Sequence, residues 1–275
     1  MNSPHDSSLG KPVAYSGERD PALLFPIARA GSRAALGVND DLPFIGVDVW
    51  NAYELSWLDS RGKPRVALAE FRVPASSPNL IESKSFKLYL NSYMQTRIAD
   101  TETLRNHLVH DLGDVAGAPV SAVLTLASSA HGASIEQLAG ELIDDMPIGV
   151  DCYGPPDAGL LDCDPQRIVD ETLVSHLLKS NCPVTGQPDW ASLQIAYRGA
   201  RIDRDGLLRY LVSYRQHSDF HEACVERIFT DLMRECAPSK LAVYARYTRR
   251  GGLDINPFRA TPGLPLPGNP RSARQ

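Results

Sequence analysis

The chain has 275 residues, of which 43% are hydrophobic and 22% charged, with a net charge of −5 and a pI near 5.8. This composition is typical of a soluble globular protein with one large domain or two ordinary ones. The acidic balance argues against a general nucleic-acid or membrane surface. Neither a membrane-spanning stretch nor a secretory signal is visible, and five widely spaced cysteines without C-x-x-C fit a reducing cytoplasm better than a disulfide framework.

The first half of the chain changes character near residue 40. Residues 1–40 are rich in Pro, Ser, Gly and Asp, which predicts an irregular N-terminal arm with a short helix near Ala22–Ala28. From Phe44 onward apolar residues recur at period two, which is typical of a strand. The remaining predictions for this half are a hairpin turn at Ser60–Lys63, a strand at Val66–Val73, helices at Ser83–Tyr93 and Glu102–Leu112, and a strand at Pro119–Leu126.

A similar order of elements is predicted in the second half. Its predicted elements are a strand at Trp190–Ala200, a turn at 203–206, a strand at Leu207–Tyr214, a helix at Phe220–Cys236, a strand at Lys240–Tyr247, and a frayed Pro/Gly/Arg-rich tail from Ala260. A constant spacing of 140 residues places Trp50 on Trp190 and Glu82 on Glu222. We therefore predict tandem ββαα-type units in which a glutamate opens a helix after a hairpin.

The stretch Ser180–Trp190 carries the strongest chemical signal. Its two prolines and one glycine exclude a regular helix, so Cys182 is expected on a rigid turn, where a thiol is more often reactive than structural. Asp189 is the nearest carboxylate that could move protons for it. From this stretch alone, a core cysteine beside a turn aspartate remains the simpler interpretation.

Three further stretches have both a functional and a plain interpretation. Glu82–Tyr89 places two lysines and two serines at a helix start, where phosphate binds readily, but the spacing alone favours a charged solvated face. Phe220-His221-Glu222 joins an imidazole to a carboxylate, and it lacks the third ligand that a metal site would need. Arg249-Arg250-Gly251-Gly252 is either a solvated loop or an anion clamp. Rossmann, P-loop and nucleophile-elbow motifs are absent from the sequence.

These motifs, taken in order, resemble the QueF nitrile reductases, which reduce 7-cyano-7-deazaguanine with NADPH. The resemblance spans about 44–259 and is to the longer type, in which the lysine-serine motif and the cysteine lie in different halves. It implies an α+β fold of tandem tunnelling-fold (ββααββ) modules, antiparallel sheets with helices packed on one face. We expect the arm at 1–40, the first module with the NADPH motif at 41–150, and the second module with the cysteine at 151–275, its tail frayed from about 260.

The resemblance also implies a reaction and a set of roles. A nitrile is reduced by four electrons to an amine through a cysteine thioimide, with NADPH as cofactor, in queuosine biosynthesis for transfer RNA. The substrate is a free base, so we expect no direct nucleic acid and no membrane contact, a cytoplasmic enzyme and a homodimer. The implied residues are Cys182, Asp189 and His221 for catalysis; Ile81, Glu82, Ser83, His221 and Glu222 for the substrate; Ser83, Lys84, Arg250 and Gly251 for NADPH; and none for a metal.

Two alternatives remain open from the residues. A cysteine-dependent nitrile or amide hydrolase would share the thioimide and then admit water, but it has no use for the cofactor motifs. A purine- or pterin-binding module without catalysis would not require both Cys182 and Asp189.

Overall fold

A computed structural model of the chain describes residues 6–7, 15–39, 41–130 and 134–275. The chain divides into two compact units, each assembled from separate stretches of sequence. The first comprises Met1–Gly31, Asp48–Ser134 and Arg249–Ile255, and the second comprises Ser32–Val47, Ile135–Thr248 and Asn256–Gln275, as far as these stretches are described.

The first unit contains an antiparallel sheet with strand order β5-β3-β2, together with a separate two-stranded sheet of β1 and β4. A 3-10 helix precedes β1, and two long helices follow β4. The bounds of the elements up to residue 126, of which α1 lies mostly in the second unit, are Pro21–Leu23 (3-10), β1 Pro26–Ala28, α1 Ala30–Ala35, β2 Ile45–Leu58, β3 Pro64–Pro74, β4 Asn79–Ile81, α2 Ser83–Asn91, α3 Thr101–Ala116 and β5 Ser121–Leu126.

Alternating apolar side chains build the core of this unit. Phe71 on β3 is fully buried and its ring meets Phe86 of α2 edge-on, with centroids 5.2 Å apart. The Asp100 side chain caps α3 by accepting from the Thr103 N–H at 2.7 Å. The helix ends at Gly117, whose φ of 69° is left-handed and suits glycine.

The second unit contains strands in the order β10-β9-β8-β7-β6, antiparallel except for the short parallel β6–β7 pair. Its long hairpin β7–β8 is followed by two helices, of which α5 contacts β8 and β9. The bounds are β6 Glu141–Leu142, β7 Cys163–Asn181, β8 Pro188–Ile202, α4 Arg204–Ser213, α5 His221–Cys236, β9 Lys240–Tyr247 and β10 Leu253–Ala260.

Most predicted elements of the first unit, and the helix and strand at α5 and β9, are confirmed, and the α+β class with antiparallel sheets is observed. The prediction of a strand at Leu207–Tyr214 is wrong, because Asp203 accepts from the Gly206 N–H at 2.9 Å and so begins helix α4. Strands β7 and β10 were not predicted. The helix predicted near Ala22–Ala28 is wrong too, since these residues form a 3-10 turn and strand β1.

The proposed register of the repeat is also wrong. A spacing of 140 residues superimposes β2, the first strand of one hairpin, on β8, the second strand of the other. It likewise equates Glu82, which caps the first helix after its hairpin, with Glu222, which lies in the first turn of the second helix. What the units share is their element order, a hairpin followed by two helices.

The ends of the chain are more structured than the sequence predicted. Within the arm, β1 pairs with β4 so that Pro26 lies opposite Ile81. The tail from Ala260 is not frayed at its last residue, because the side chain of Gln275 is buried. The parts of the predicted arm at 1–5, 8–14 and 40 lie outside the described residues.

Candidate active site

The turn between β7 and β8 holds the thiol that the sequence singled out. The Cys182 N–H donates to the carbonyl of Gln187 at 2.9 Å, and the Gly186 N–H donates to the carbonyl of Cys182 at 3.0 Å. Gly186 has a φ of 67°, which a side chain would strain. Cys182 is therefore fixed on a closed turn, as predicted, and is only 6% exposed.

A carboxylate and an imidazole converge beside this turn. Asp189 is the second residue of β8, lies opposite Ser180 in the β7–β8 register and is almost completely buried. His221 is the first residue of α5, and its Nε2 lies 3.3 Å from Oδ2 of Asp189. The hairpin and the start of α5 thus bring together an acid and a base that are far apart in sequence. Such a pair can pass a proton from one group to the other.

The imidazole of His221 rests on an aromatic ring that sequence reasoning missed. The Tyr247 ring lies parallel to it, with centroids 3.7 Å apart and an interplanar angle of 2°. The buried Nδ1 of His221 has no hydrogen-bond partner among the described residues. Consequently the stack and the contact with Asp189 together set the orientation of the ring. The alternation of β9 could have predicted that Tyr247 is buried on the same side as Val243, but not that its ring stacks on His221.

Glu222 is presented by a firmly anchored helix. It lies in the first turn of α5, is 3% exposed, and follows an N-cap residue, Phe220, that supplies no side-chain cap. An acid at a helix N-terminus is favoured by the helix dipole. One turn later, Glu226 accepts hydrogen bonds from the guanidinium groups of Arg33 and Arg259, each at 2.8 Å. This buried cluster holds the helix that presents both His221 and Glu222.

Two other buried thiols, those of Cys224 and Cys236, lie on α5 rather than on the β7–β8 turn. All five cysteines are free. Complete burial raises the pKa of the Cys224 thiol well above its usual range, and burial raises that of Cys236 to about 12. Both thiols are therefore protonated and unreactive near neutral pH. Cys182, on a turn rather than inside a helix, is the better placed nucleophile.

In the first unit, the lysine-serine motif begins α2. The Glu82 carboxylate accepts from the N–H groups of Lys84 and Ser85, at 2.7 and 2.8 Å, and is 1% exposed. Its backbone N–H donates to the carbonyl of Phe25 in the arm. A phosphate at this helix start was expected to bind exposed N–H groups, but the Glu82 side chain already occupies two of them. A phosphate at this helix start would therefore depend on the side chains of Ser83 and Lys84.

The Arg/Gly loop belongs to the same unit. Gly251 and Gly252 have φ values of 58° and 79°, and a Cβ at either would overlap the side chain of Lys87 or of Glu54. The exposed Arg249 places its guanidinium 5.2 Å from the centre of the Tyr53 ring. The backbone therefore approaches a basic side chain closely at Gly251, Lys87, and an acidic one at Gly252, Glu54.

The predicted site residues thus divide between the two units. The second unit holds the residues expected to react and one expected to bind the base: Cys182, Asp189, His221 and Glu222. The first unit holds the others: Ile81, Glu82, Ser83, Lys84, Arg250 and Gly251. Among the described residues there is no cluster of His, Cys, Asp and Glu that could hold a metal ion, and no described helix is long and apolar enough to cross a membrane.

Comparison with known proteins decides the family. The family profile described as "Nitrile reductase, 7-cyano-7-deazaguanine-reductase N-term" matches residues 15–124, and that described as "QueF-like protein" matches 188–263. The NADPH-dependent 7-cyano-7-deazaguanine reductase of Bordetella avium is 60% identical over 270 residues, covering 98% of each chain. The chain belongs to the 7-cyano-7-deazaguanine reductase family. Proteins of the same name from Stenotrophomonas maltophilia and Cupriavidus metallidurans are 59% and 57% identical, covering 97% and 100% of each chain.

Membership confirms the family resemblance that the four motifs predicted. Both profiles fall on the parts of the chain that carry motifs: the first includes Glu82–Tyr89, and the second includes Phe220-His221-Glu222 and the Arg/Gly loop. Cys182 itself precedes the second matched range, while Asp189 lies within it. The roles of the individual residues are not given by family membership and need the geometry described above.

Proposed function

We propose that the chain catalyses the NADPH-dependent reduction of the nitrile of 7-cyano-7-deazaguanine to 7-aminomethyl-7-deazaguanine, a step of queuosine biosynthesis. The observation that carries the proposal is the position of Cys182 on the closed β7–β8 turn, next to the Asp189–His221 pair that is held at 3.3 Å. Full-length relatives that bear this activity in their names add support.

The chain's own residues suit the first step. The Cys182 sulfur, as thiolate, adds to the nitrile carbon; an S–C bond forms and the C≡N bond becomes C=N, which takes up one proton. Asp189 would donate that proton, and His221 would return one to Asp189 across their short contact. The product is a thioimide, which accepts hydride more readily than a nitrile does.

The residues expected to bind the base come from both units, and those expected to bind the cofactor come from the first. Glu222 would accept hydrogen bonds from the aminopyrimidine edge of the base, with Ile81, Glu82 and Ser83 contributing to recognition. Ser83, Lys84, Arg250 and Gly251 would hold the phosphates or ribose of NADPH; two NADPH molecules, bound one after the other, would each supply one hydride. Cys182 would leave as thiolate after the first reduction, so that the second reduction occurs on a free imine.

The proposal is tested by intact-mass analysis of the protein incubated with the nitrile in the absence of NADPH. The mass should increase by the whole substrate, Cys182→Ala should show no increase, and Cys224→Ala should behave as the wild type does. A normal increase in Cys182→Ala would contradict the assignment. Adding NADPH should then release the amine; release of an amide or acid without NADPH would favour a nitrile or amide hydrolase, and binding without an adduct would favour a non-catalytic purine- or pterin-binding module.

We also propose that the two units are tandem tunnelling-fold modules of a cytoplasmic homodimer. The shared order of a hairpin and two helices in each unit supports the modular part. Light scattering on the purified protein tests the dimer, because a mass of one chain would contradict it.

A further inference from the structure

The side chain of Gln275 is built into the second unit rather than left in solvent. It is 7% exposed, and its Nε2 donates to the carbonyl of Tyr247 at 2.9 Å and to Oδ1 of Asn256 at 2.7 Å. Its Oε1 accepts from Nε of Arg246 at 3.0 Å and from the N–H of Ser272 at 3.2 Å. Each polar atom of the Gln275 amide is therefore used.

These bonds converge on the backbone of one residue. Oδ1 of Asn256 also accepts from the N–H of Tyr247, at 3.1 Å. Both the N–H and the carbonyl of Tyr247 are consequently bonded to buried side-chain amides, and those two amides are bonded to each other. Gln275 therefore links the tail to the backbone of β9 and to Asn256.

The Tyr247 ring connects the arrangement to the candidate catalytic groups. Its face lies 3.7 Å from the His221 ring, and His221 in turn contacts Asp189 at 3.3 Å. Because Nδ1 of His221 has no hydrogen-bond partner among the described residues, a shift of Tyr247 leaves little else to keep the imidazole in line with Asp189. A displacement of about 1 Å can reduce a catalysed rate by orders of magnitude.

We propose that Gln275 is a positioning residue, which fixes Tyr247 and, through the ring stack, orients His221 toward Asp189. This inference rests on the function proposed above. It assigns the tail a part in the proton-transfer step, beyond any contribution to stability.

A plain structural role for the tail makes a different prediction, and Arg274 provides the matched control. Its guanidinium donates to the carbonyl of His176 at 3.0 Å, so Arg274 also attaches the tail, and within the described part of the chain no hydrogen bond joins it to Tyr247. If the tail acted only by being attached, Arg274→Ala and Gln275→Ala would have similar effects on the reaction.

The test measures two quantities, the rate of adduct formation at saturating nitrile and the affinity for the nitrile. Both are measured well below the unfolding temperature of each variant. Gln275→Ala should lower the rate about tenfold with affinity nearly unchanged, and Arg274→Ala should stay within about twofold. Gln275→Glu keeps the size of the side chain but cannot donate to Tyr247, so it should not restore the rate. Restoration by glutamate, or an equal loss in Arg274→Ala, would overturn the proposal.

A double-mutant cycle separates positioning from general loosening. If Gln275 acts through His221, then Gln275→Ala should have little further effect in a His221→Asn background. Additive losses would mean that Gln275 acts elsewhere and would overturn the inference. Failure of the wild type to form any adduct would instead overturn the proposed function, so the two failures are distinguishable.

Discussion

The two units contain the same buried polar cluster but differ in the groups that could react. In the first unit, the Tyr89 and Tyr93 rings meet edge-on at 83°, their hydroxyls lie 2.9 Å apart, and the Tyr89 hydroxyl donates to Asp111 at 2.6 Å. Asp111 also forms an ion pair with the guanidinium of Arg19, from the N-terminal arm, at 2.7 Å. This cluster joins α2 to α3.

The second unit repeats the cluster between α4 and α5. The Tyr210 and Tyr214 rings meet at 87°, their hydroxyls lie 2.7 Å apart, and Tyr210 donates to Asp231 at 2.7 Å. Burial raises the pKa of both tyrosines well above the usual range, so they remain donors. The shared cluster therefore belongs to the scaffold, whereas the proposed chemistry rests on a group found in the second unit, the turn-borne thiol of Cys182 with the Asp189–His221 pair.

The largest effect is expected at Asp189. Asp189→Asn keeps the shape but removes the proton donor, so adduct formation should fall by about 10²-fold or more. The measurement is the rate of mass increase with the nitrile. Asp231→Asn is the control, because Asp231 is a buried acid of the same unit that lies in the tyrosine cluster. It should lower the stability of the protein while leaving the rate per folded molecule near that of the wild type. An unchanged rate in Asp189→Asn would leave His221 as the acid.

The next effect is expected at Glu222. Glu222→Gln replaces an acceptor oxygen with a donor against the ring N–H groups, and a buried unpaired contact costs about 1–3 kcal/mol. Nitrile affinity should fall by about tenfold or more while NADPH affinity changes little. Glu235→Gln, near the other end of α5, is the control for loss of charge. If Glu222→Gln weakened NADPH instead, the units would have been assigned the wrong ligands.

A smaller effect is expected from the basic residues of the first unit. Lys84→Ala or Arg250→Ala should weaken NADPH by about tenfold, or about 1.4 kcal/mol, because each removes a charge that would face phosphate. Adduct formation at Cys182, which needs no NADPH, should be intact. Lys63→Ala, which removes an exposed positive charge in the β2–β3 turn, is the control. Loss of the adduct in Lys84→Ala would contradict the division of roles between units.

The sequence predicted the first unit better than the second for a physical reason. Strands β2 and β3 have one apolar face and a clear turn between them, so their periodicity is visible. In α4, by contrast, Leu207, Leu208, Tyr210 and Leu211 are all buried, and such an apolar run does not distinguish a helix from a strand. The N-cap Asp203 was the available signal, but with the following Gly206 it also matched a turn.

For the candidate site, the local sequence predicted that Cys182 lies on a turn. The motifs predicted the family to which the chain belongs. Contacts that depend on tertiary structure were not predictable, above all the stack of Tyr247 on His221 and the bonds of Gln275. The correct internal repeat could have been found from the buried tyrosines and aspartates of the two clusters. Tryptophans and glutamates with a constant spacing gave a register that the strand order contradicts.

The smallest effect concerns Glu82, the acid that was wrongly equated with Glu222. Burial, opposed by the hydrogen bonds from the Lys84 and Ser85 N–H groups, raises the pKa of Glu82 above its ordinary value. Folding therefore favours the protonated form, and this stability is present below the unfolded-state pKa and lost as the pH rises through the folded-state pKa. Urea denaturation gives the unfolding free energies of the wild type and of Glu82→Gln. The stability of the wild type relative to the variant should be greater near pH 4.5 than near pH 8. Glu102→Gln is the internal control of opposite sign, because the Arg105 guanidinium lowers the pKa of Glu102. A wild-type advantage that grew with pH at Glu82 would mean that the helix N-terminus stabilises its charge more than burial opposes it, and that Glu82 is ionised in the folded protein.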